Sequence, residues 1–478
     1  MMSTSARFGV GGGIGIHLRL GLLMAAAIPP PAASSPADAA HASVTATMTA
    51  TGPADPRIAA ALQRISSARI RGDIEKLVSF GTRSTLSAQD PSAIAAGRGV
   101  GAAREWIKAQ VEAYSRDCGG CLEVKTDTFT QPSSDRVAQP TGITNVYAVL
   151  KGSGTGPTGR IVLVTGHYDS RNSDNSDIEH DAPGANDDAS GTAVSLECAR
   201  VLGGLHFPGT IIFLTVAGEE QGLYGSAHFA KAARADGWNI EAVLNDDIVG
   251  GNKDTGQLPG IVRVFSEGLP AAADEKRLRL IQDSGGENDS SSRELARYVA
   301  ATARAYHPGV EPLLIFRRDR YLRGGDHYSF NAEGYAAVRF TEYREDFNRQ
   351  HQTVRLENGV RYGDEPAYVD FDYVARVARL NAATLASLAA APAPPGHAAL
   401  VTAKLDNDTT LRWDPSPGAG GYEILWRATG SPDWEHTENV GSRTEMTLPV
   451  SKDNVIFAVR AVDAEGHRSL AVVPEPQR

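Results

Sequence analysis

Five short stretches of the 478-residue chain concentrate imidazole and carboxylate groups. They are Gly166-His167-Tyr168-Asp169-Ser170, Gly184-Ala185-Asn186-Asp187-Asp188-Ala189-Ser190-Gly191, Gly218-Glu219-Glu220-Gln221-Gly222, Asn245-Asp246-Asp247-Ile248-Val249-Gly250 and Arg349-Gln350-His351-Gln352-Thr353. Glycine beside most of these groups lets the backbone turn sharply and aim a side chain into a cleft. A donor set of two His, two Asp and a Glu suits a borderline or hard divalent ion such as zinc, whereas an all-oxygen set would suit calcium or magnesium. A single Asp after a strand is commonly a turn former or helix cap. Five acid-or-imidazole clusters in order along one chain are instead what a metal centre requires.

The segments that must position these groups alternate between two periodicities. Continuous β-branched runs at Ile161–Thr165, Thr210–Val216, Ala242–Leu244, Ile261–Phe265 and Tyr335–Phe340 predict strands buried on both faces, and Val124–Phe129 and Asn145–Leu150 add two more. Helical patterns at 57–65, 73–80, 102–114, 192–202, 226–235, 292–306 and 368–388 lie before, between and after them. The expected fold is α/β, a mostly parallel central sheet covered by helices on both faces, followed by a small all-β sandwich. Four of the five clusters then follow strands, where the carboxyl ends of a parallel sheet present their ligands. The Asn186-Asp187-Asp188 cluster opens the helix 192–202 instead.

Composition excludes several classes of function. A hydrophobic fraction of 41% with 22% charged residues is that of a soluble globular protein. The formal net charge of -10 leaves no concentrated basic surface for nucleic acid, so no nucleic-acid partner is expected. Arg7 and Arg19 precede an apolar run, Leu20 to Ile28, that is too short to span a bilayer, and Ala-His-Ala at 40–42 offers a cleavage site. Residues 1–42 are therefore expected to be a signal peptide of a secreted protein, extracellular or periplasmic, with a low-complexity linker over 43–56. Three cysteines occur; Cys118 and Cys121 suggest a small disulfide in an exported protein, and Cys198 falls in a helical apolar pattern as a core residue.

A Pro/Ala linker at 391–397 separates the α/β domain, 57–390, from a differently patterned tail at 398–478. Short strands with turn signals, together with Trp413, Tyr422 and the Phe457–Val462 run, make this tail resemble a fibronectin type III module, with Val455 at the tyrosine-corner position. Such a module would serve as an attachment to a surface or polymer, or as a spacer, and the linker suggests that it folds independently and is dispensable for the chemistry of the α/β domain.

From Ile74-Glu75-Lys76-Leu77-Val78-Ser79-Phe80-Gly81-Thr82-Arg83 to about residue 390, the sequence resembles the M28 family of metallopeptidases, the aminopeptidase group with co-catalytic zinc. The resemblance implies two zinc ions: His167 and Asp247 would bind one, Glu220 and His351 the other, and Asp187 would bridge both. It further implies Glu219 as general base and Asp169 as the carboxylate that orients the site from behind His167. Asn186 stands where many relatives have Asp, and Asp246 leaves open which carboxylate of the pair reaches the metal, although alignment on Asn245 and Gly250 favours Asp247. Asp326 is expected beside the site and His327 in a structural role.

The implied function is a secreted enzyme that hydrolyses N-terminal residues from peptides, using a hydroxide shared by the two metals and a Glu base. A carboxypeptidase or a glutaminyl-cyclase-like zinc enzyme on the same fold is the alternative. A binding protein that lost activity would be expected to lack a ligand or Glu219, and all are present.

Overall fold

A computed structural model describes residues 54–154, 159–252 and 256–478. The signal peptide and most of the low-complexity linker expected from the sequence lie outside the described residues.

The apolar runs form the strands of one eight-stranded sheet: β1 (Leu122–Gln131), β2 (Thr141–Leu150), β3 (Arg160–His167), β4 (Thr210–Val216), β5 (Asn239–Asp246), β6 (Ile261–Ser266), β7 (Glu311–Ile315) and β8 (Ala337–Glu342). Their spatial order is β1-β2-β4-β3-β5-β8-β6-β7. The centre, β4-β3-β5-β8, is parallel, as is β6-β7, while β1-β2, β2-β4 and β8-β6 are antiparallel. The sheet is thus mixed, with its parallel part in the middle.

Because successive strand residues point to opposite faces, the central strands feed two cores. Val162 and Val164 of β3 and Ile211 and Phe213 of β4 join the helices Ser67–Val78, Ala189–Leu202 and Phe371–Ala390 on one face. Ile161 and Leu163, with Ile212, Leu214 and Val216, meet Phe229, Ala230 and Ala233 of the helix Tyr224–Ala235 on the other. Burial on both faces explains why these strands read as unbroken apolar runs.

Two glycines set how closely one helix approaches the sheet. A Cβ on Gly166, in β3, would collide with the backbone of Gly191 and would lie 2.6 Å from the Thr192 nitrogen. This contact draws the start of the helix Ala189–Leu202 against the end of β3, where Asp188 accepts hydrogen bonds from the backbone of His167 (3.0 Å) and of Gly191 (2.8 Å). A Gly166→Ala variant is expected to lose about 1–3 kcal/mol through overpacking. Thermal unfolding should show a melting temperature lowered by a few degrees, and an unchanged melting point would contradict the tight fit.

Beyond Ala391 the chain forms two small sheets, one of four strands and one of three, around Trp413, Tyr422, Ile424, Phe457 and Val459. This unit is not a freely tethered one. Arg427 pairs with Asp289 with both side chains buried, Trp434 donates to Glu294 (3.0 Å), Arg297 donates to the Pro432 carbonyl (2.6 Å), and Leu470 joins the core of the α/β domain. At a second seam His467 lies between Asp463 (2.7 Å) and Asp55 (3.3 Å). A chain ended at Ala391 would leave buried Asp289, Glu294 and Arg297 without these partners, which is costly.

Cys118 and Cys121 are joined as a disulfide and Cys198 is a buried free thiol. Among the described residues no helix is long and apolar enough to cross a membrane.

Candidate metal centre

The ligand candidates converge at the carboxyl edge of the parallel strands. His167 is the last residue of β3, Asp247 follows β5, and Glu219 and Glu220 open a short helical turn, Glu219–Gly222, just after β4. That turn is possible because Gly218 takes a left-handed conformation (φ +79°) that other residues rarely adopt. Asp187 lies in the loop entering the helix Ala189–Leu202, and His351 lies in the irregular segment after β8.

Two overlapping triads result. His167, Asp187 and Asp247 bring one ligand atom each within 4.8 Å of one another, and so do Asp187, Glu220 and His351. Asp187 belongs to both: one carboxylate oxygen is 3.1 Å from His167 Nε2 and the other is 2.8 Å from His351 Nε2. His351 Nε2 is also 3.2 Å from Glu220. Glu219 belongs to neither triad, yet its carboxylate reaches to 4.0 Å from His167 Nε2. Of the Asp246-Asp247 pair, Asp247 lines the cleft, whereas Asp246 points into the protein and accepts from Asn381 (2.9 Å).

Asp169 stands behind His167. One of its oxygens lies 3.4 Å from His167 Nδ1, and the other accepts from Thr85 (2.8 Å) and from the Glu220 backbone (3.3 Å). His167 Nδ1 is closest to the Asp169 carbonyl oxygen (3.1 Å), so Asp169 engages the ring through its backbone and the turn after β4 through its carboxylate. Asn186 is satisfied by Gly250 N–H (2.6 Å) and by Glu342, to which it donates (3.1 Å). His327 is held by the Arg318 carbonyl (2.9 Å) and Asn245, as befits a structural histidine.

The residues suit a divalent cation. Burial of Asp187 opposes its charge, but His351 and His167 outweigh that and hold its carboxyl well below the usual range. His351 is pushed up to about 10, burial being overcome by Glu220 and Asp187. Burial raises Glu219 well above the ordinary glutamate value. Meanwhile His167 Nε2, one oxygen of Glu220 and both oxygens of Asp326 are buried without a hydrogen-bond partner. Buried ligand atoms left without partners among crowded carboxyl groups are costly unless a cation engages them. Two imidazoles with three carboxylates match a zinc-type ion better than calcium.

Several residues around the site escaped the sequence reading. Arg171 donates to Glu220 (3.0 Å) and to His351 Nδ1 (2.6 Å), Gln350 donates to Asp187 (3.1 Å), and Arg339 pairs with Asp247 (2.8 Å). Asp364 accepts from the backbone of Asn186 (2.9 Å) and Asp187 (2.8 Å), fixing the loop that carries Asp187. Arg171 and Gln350 lay inside or beside the segments already singled out, so the surplus of polar residues there was a usable signal. Asp364 and Arg339 had none. The triads open onto a cleft of about 320 Å³ lined by Asp187, Glu219, Glu220, Asp247 and His351, with Arg136, Arg320 and Arg323 at its wall.

Residues 145–368 match the model of peptidase family M28. A probable zinc metalloprotease of Leptosphaeria maculans is 46% identical over 427 residues, covering 88% of this chain and 97% of that protein. One from Pyricularia oryzae is 46% identical over 437 residues, covering 88% and 85%. Among solved structures, the LapA aminopeptidase of Legionella pneumophila aligns with 22% identity and a TM-score of 0.48 over 70% of this chain and 74% of that one.

Proposed function

The chain belongs to peptidase family M28, a zinc metallopeptidase and hydrolase by that membership, and from this premise we propose that it is an exported aminopeptidase using two zinc ions in one cleft. The observation that carries the proposal is the pair of triads sharing Asp187, with Glu219 beside them but in neither. His167, Asp187 and Asp247 would hold one ion, and Asp187, Glu220 and His351 the other. Bound there, zinc supplies Lewis acidity toward the scissile carbonyl and a water of lowered pKa.

The chain's own groups do the rest. Asp169 keeps Nδ1 of His167 engaged, so that Nε2 faces the cleft. Glu219, freed from ligation, takes the proton from the attacking water and returns it to the leaving amine as the C–N bond breaks. No covalent enzyme intermediate is needed. Glu219 and the triad carboxylates line the cleft, and carboxyl oxygens there can accept hydrogen bonds from a free α-ammonium. The Cys118–Cys121 disulfide supports export, since such bonds persist in oxidising compartments. The terminal β unit is proposed as an attachment or spacer element locked to the enzyme.

The test is the order in which products appear. Free peptides are expected to give a ladder of single N-terminal losses in mass spectra, with N-acetylated versions at least ~10-fold poorer, equivalent to about 1.4 kcal/mol. Losses from the C-terminus, or equal cleavage of blocked peptides, would contradict the aminopeptidase assignment while leaving the metal centre standing.

A further inference from the structure

The cleft that holds the carboxylate ligands is also walled by Arg136, Arg171, Arg320, Arg323 and Arg339, in a chain whose formal net charge is -10. Arginine is concentrated here against the overall balance. Three of these guanidinium groups are committed: Arg171 to Glu220 and His351, Arg339 to Asp247 and Asp319, and Arg320 to Asp319 (2.9 Å) and Glu345 (2.9 Å).

Arg323 is left short of negative charge. It lies 2.7 Å from the same Glu345 oxygen that Arg320 uses, while Arg263 takes the other oxygen at 3.0 Å. Arg263, Arg320, Arg323 and Arg339 therefore share the carboxylates of Glu345, Asp319 and Asp247, one fewer than the cations. Of the four, Arg323 is the most open, with 34% of its side chain accessible. Arg136, from the connection between β1 and β2, is exposed; among the described residues no carboxylate lies within ion-pair distance of it, and its one hydrogen bond is to the Glu220 carbonyl at 3.4 Å. Two guanidinium groups thus present spare N–H donors to the cleft, and planar N–H pairs are the protein group best matched to a carboxylate.

We propose that this cleft selects peptides carrying a carboxylate close to the scissile bond, bound by Arg136 and Arg323. The carboxylate is either an acidic side chain or, in a very short peptide, the free C-terminus. The proposal deepens the peptidase assignment and rests on it.

Peptide pairs that differ only by Glu against Gln at the first, second or third position, and dipeptides with free or amidated C-termini, separate the two sources. With the full-length, zinc-loaded protein, the Glu member of at least one pair, or the free dipeptide, is expected to have a kcat/KM at least ~10-fold higher, mainly through KM, with the advantage shrinking as salt rises. In the Arg136→Gln/Arg323→Gln double variant the ratio should collapse toward one, and Arg323→Lys should restore part of it. Ratios near one in the wild type at every position and terminus, or a ratio that persists in the double variant, would overturn the proposal. If neither member of a pair loses its N-terminal residue, the aminopeptidase assignment fails by itself. Calorimetric affinities of the same peptides for the Glu219→Gln protein then still read the preference, and equal affinities would overturn it.

Discussion

A Glu219→Gln protein is expected to keep its metal and to turn over about 10²- to 10⁴-fold more slowly than the wild type. Glu219 and Glu220 are neighbours on one tight turn, so their side chains diverge. Glu220 sits 3.2 Å from His351 within a triad, whereas Glu219 lines the cleft outside both triads. Glutamine has the same shape as glutamate but cannot accept the proton at the carboxylate, so proton transfer is lost while the ligand set is untouched. Measuring kcat alongside metal content separates the two neighbours: Glu220→Gln should lose metal, Glu219→Gln should not. A Glu219→Gln enzyme with near-normal kcat would show that the base is another residue.

Replacing Asp187 by Ala should have the larger consequence, because a single side chain serves both triads. Its two oxygens face His167 Nε2 at 3.1 Å and His351 Nε2 at 2.8 Å, and Gln350 and Asp364 hold its side chain and its backbone. Without it each triad is reduced to two donors. Metal content is expected to fall to one ion per chain or fewer, with kcat reduced by at least ~10³-fold and not recovered by micromolar zinc. Elemental analysis and an activity titration check this together. A variant holding its full metal complement would remove Asp187 from the bridging position.

How much of this was legible in the sequence follows from where the information resides. Strands buried on both faces announce themselves as β-branched runs, so β3, β4 and β5 were readable and their ends located the clusters. Edge strand β7, a half-exposed Glu-Pro-Leu-Leu-Ile stretch, carries no such run, and the exposed helix Glu275–Ser284 buries little beyond Ile281. The triads were readable because metal ligation demands a few residue types beside turn-forming glycines. The groups that steady them were not: Asp364 meets Asp187 across 177 residues of chain and Arg339 meets Asp247 across 92, pairings that only the folded sheet creates. The tail's attachment was hidden for a similar reason. A Pro/Ala linker describes local stiffness and says nothing of Arg427 and Trp434 reaching Asp289 and Glu294.

We propose that two zinc ions, held by His167, Asp187, Glu220, Asp247 and His351, carry the chemistry. Metal content per folded chain, measured before and after chelation and followed through re-addition of zinc while turnover of an aminoacyl anilide is recorded, tests it most directly. Two zinc ions per active chain, complete loss of turnover with their removal and recovery as zinc is returned are the predicted results. Active protein that contains no transition metal would contradict the account.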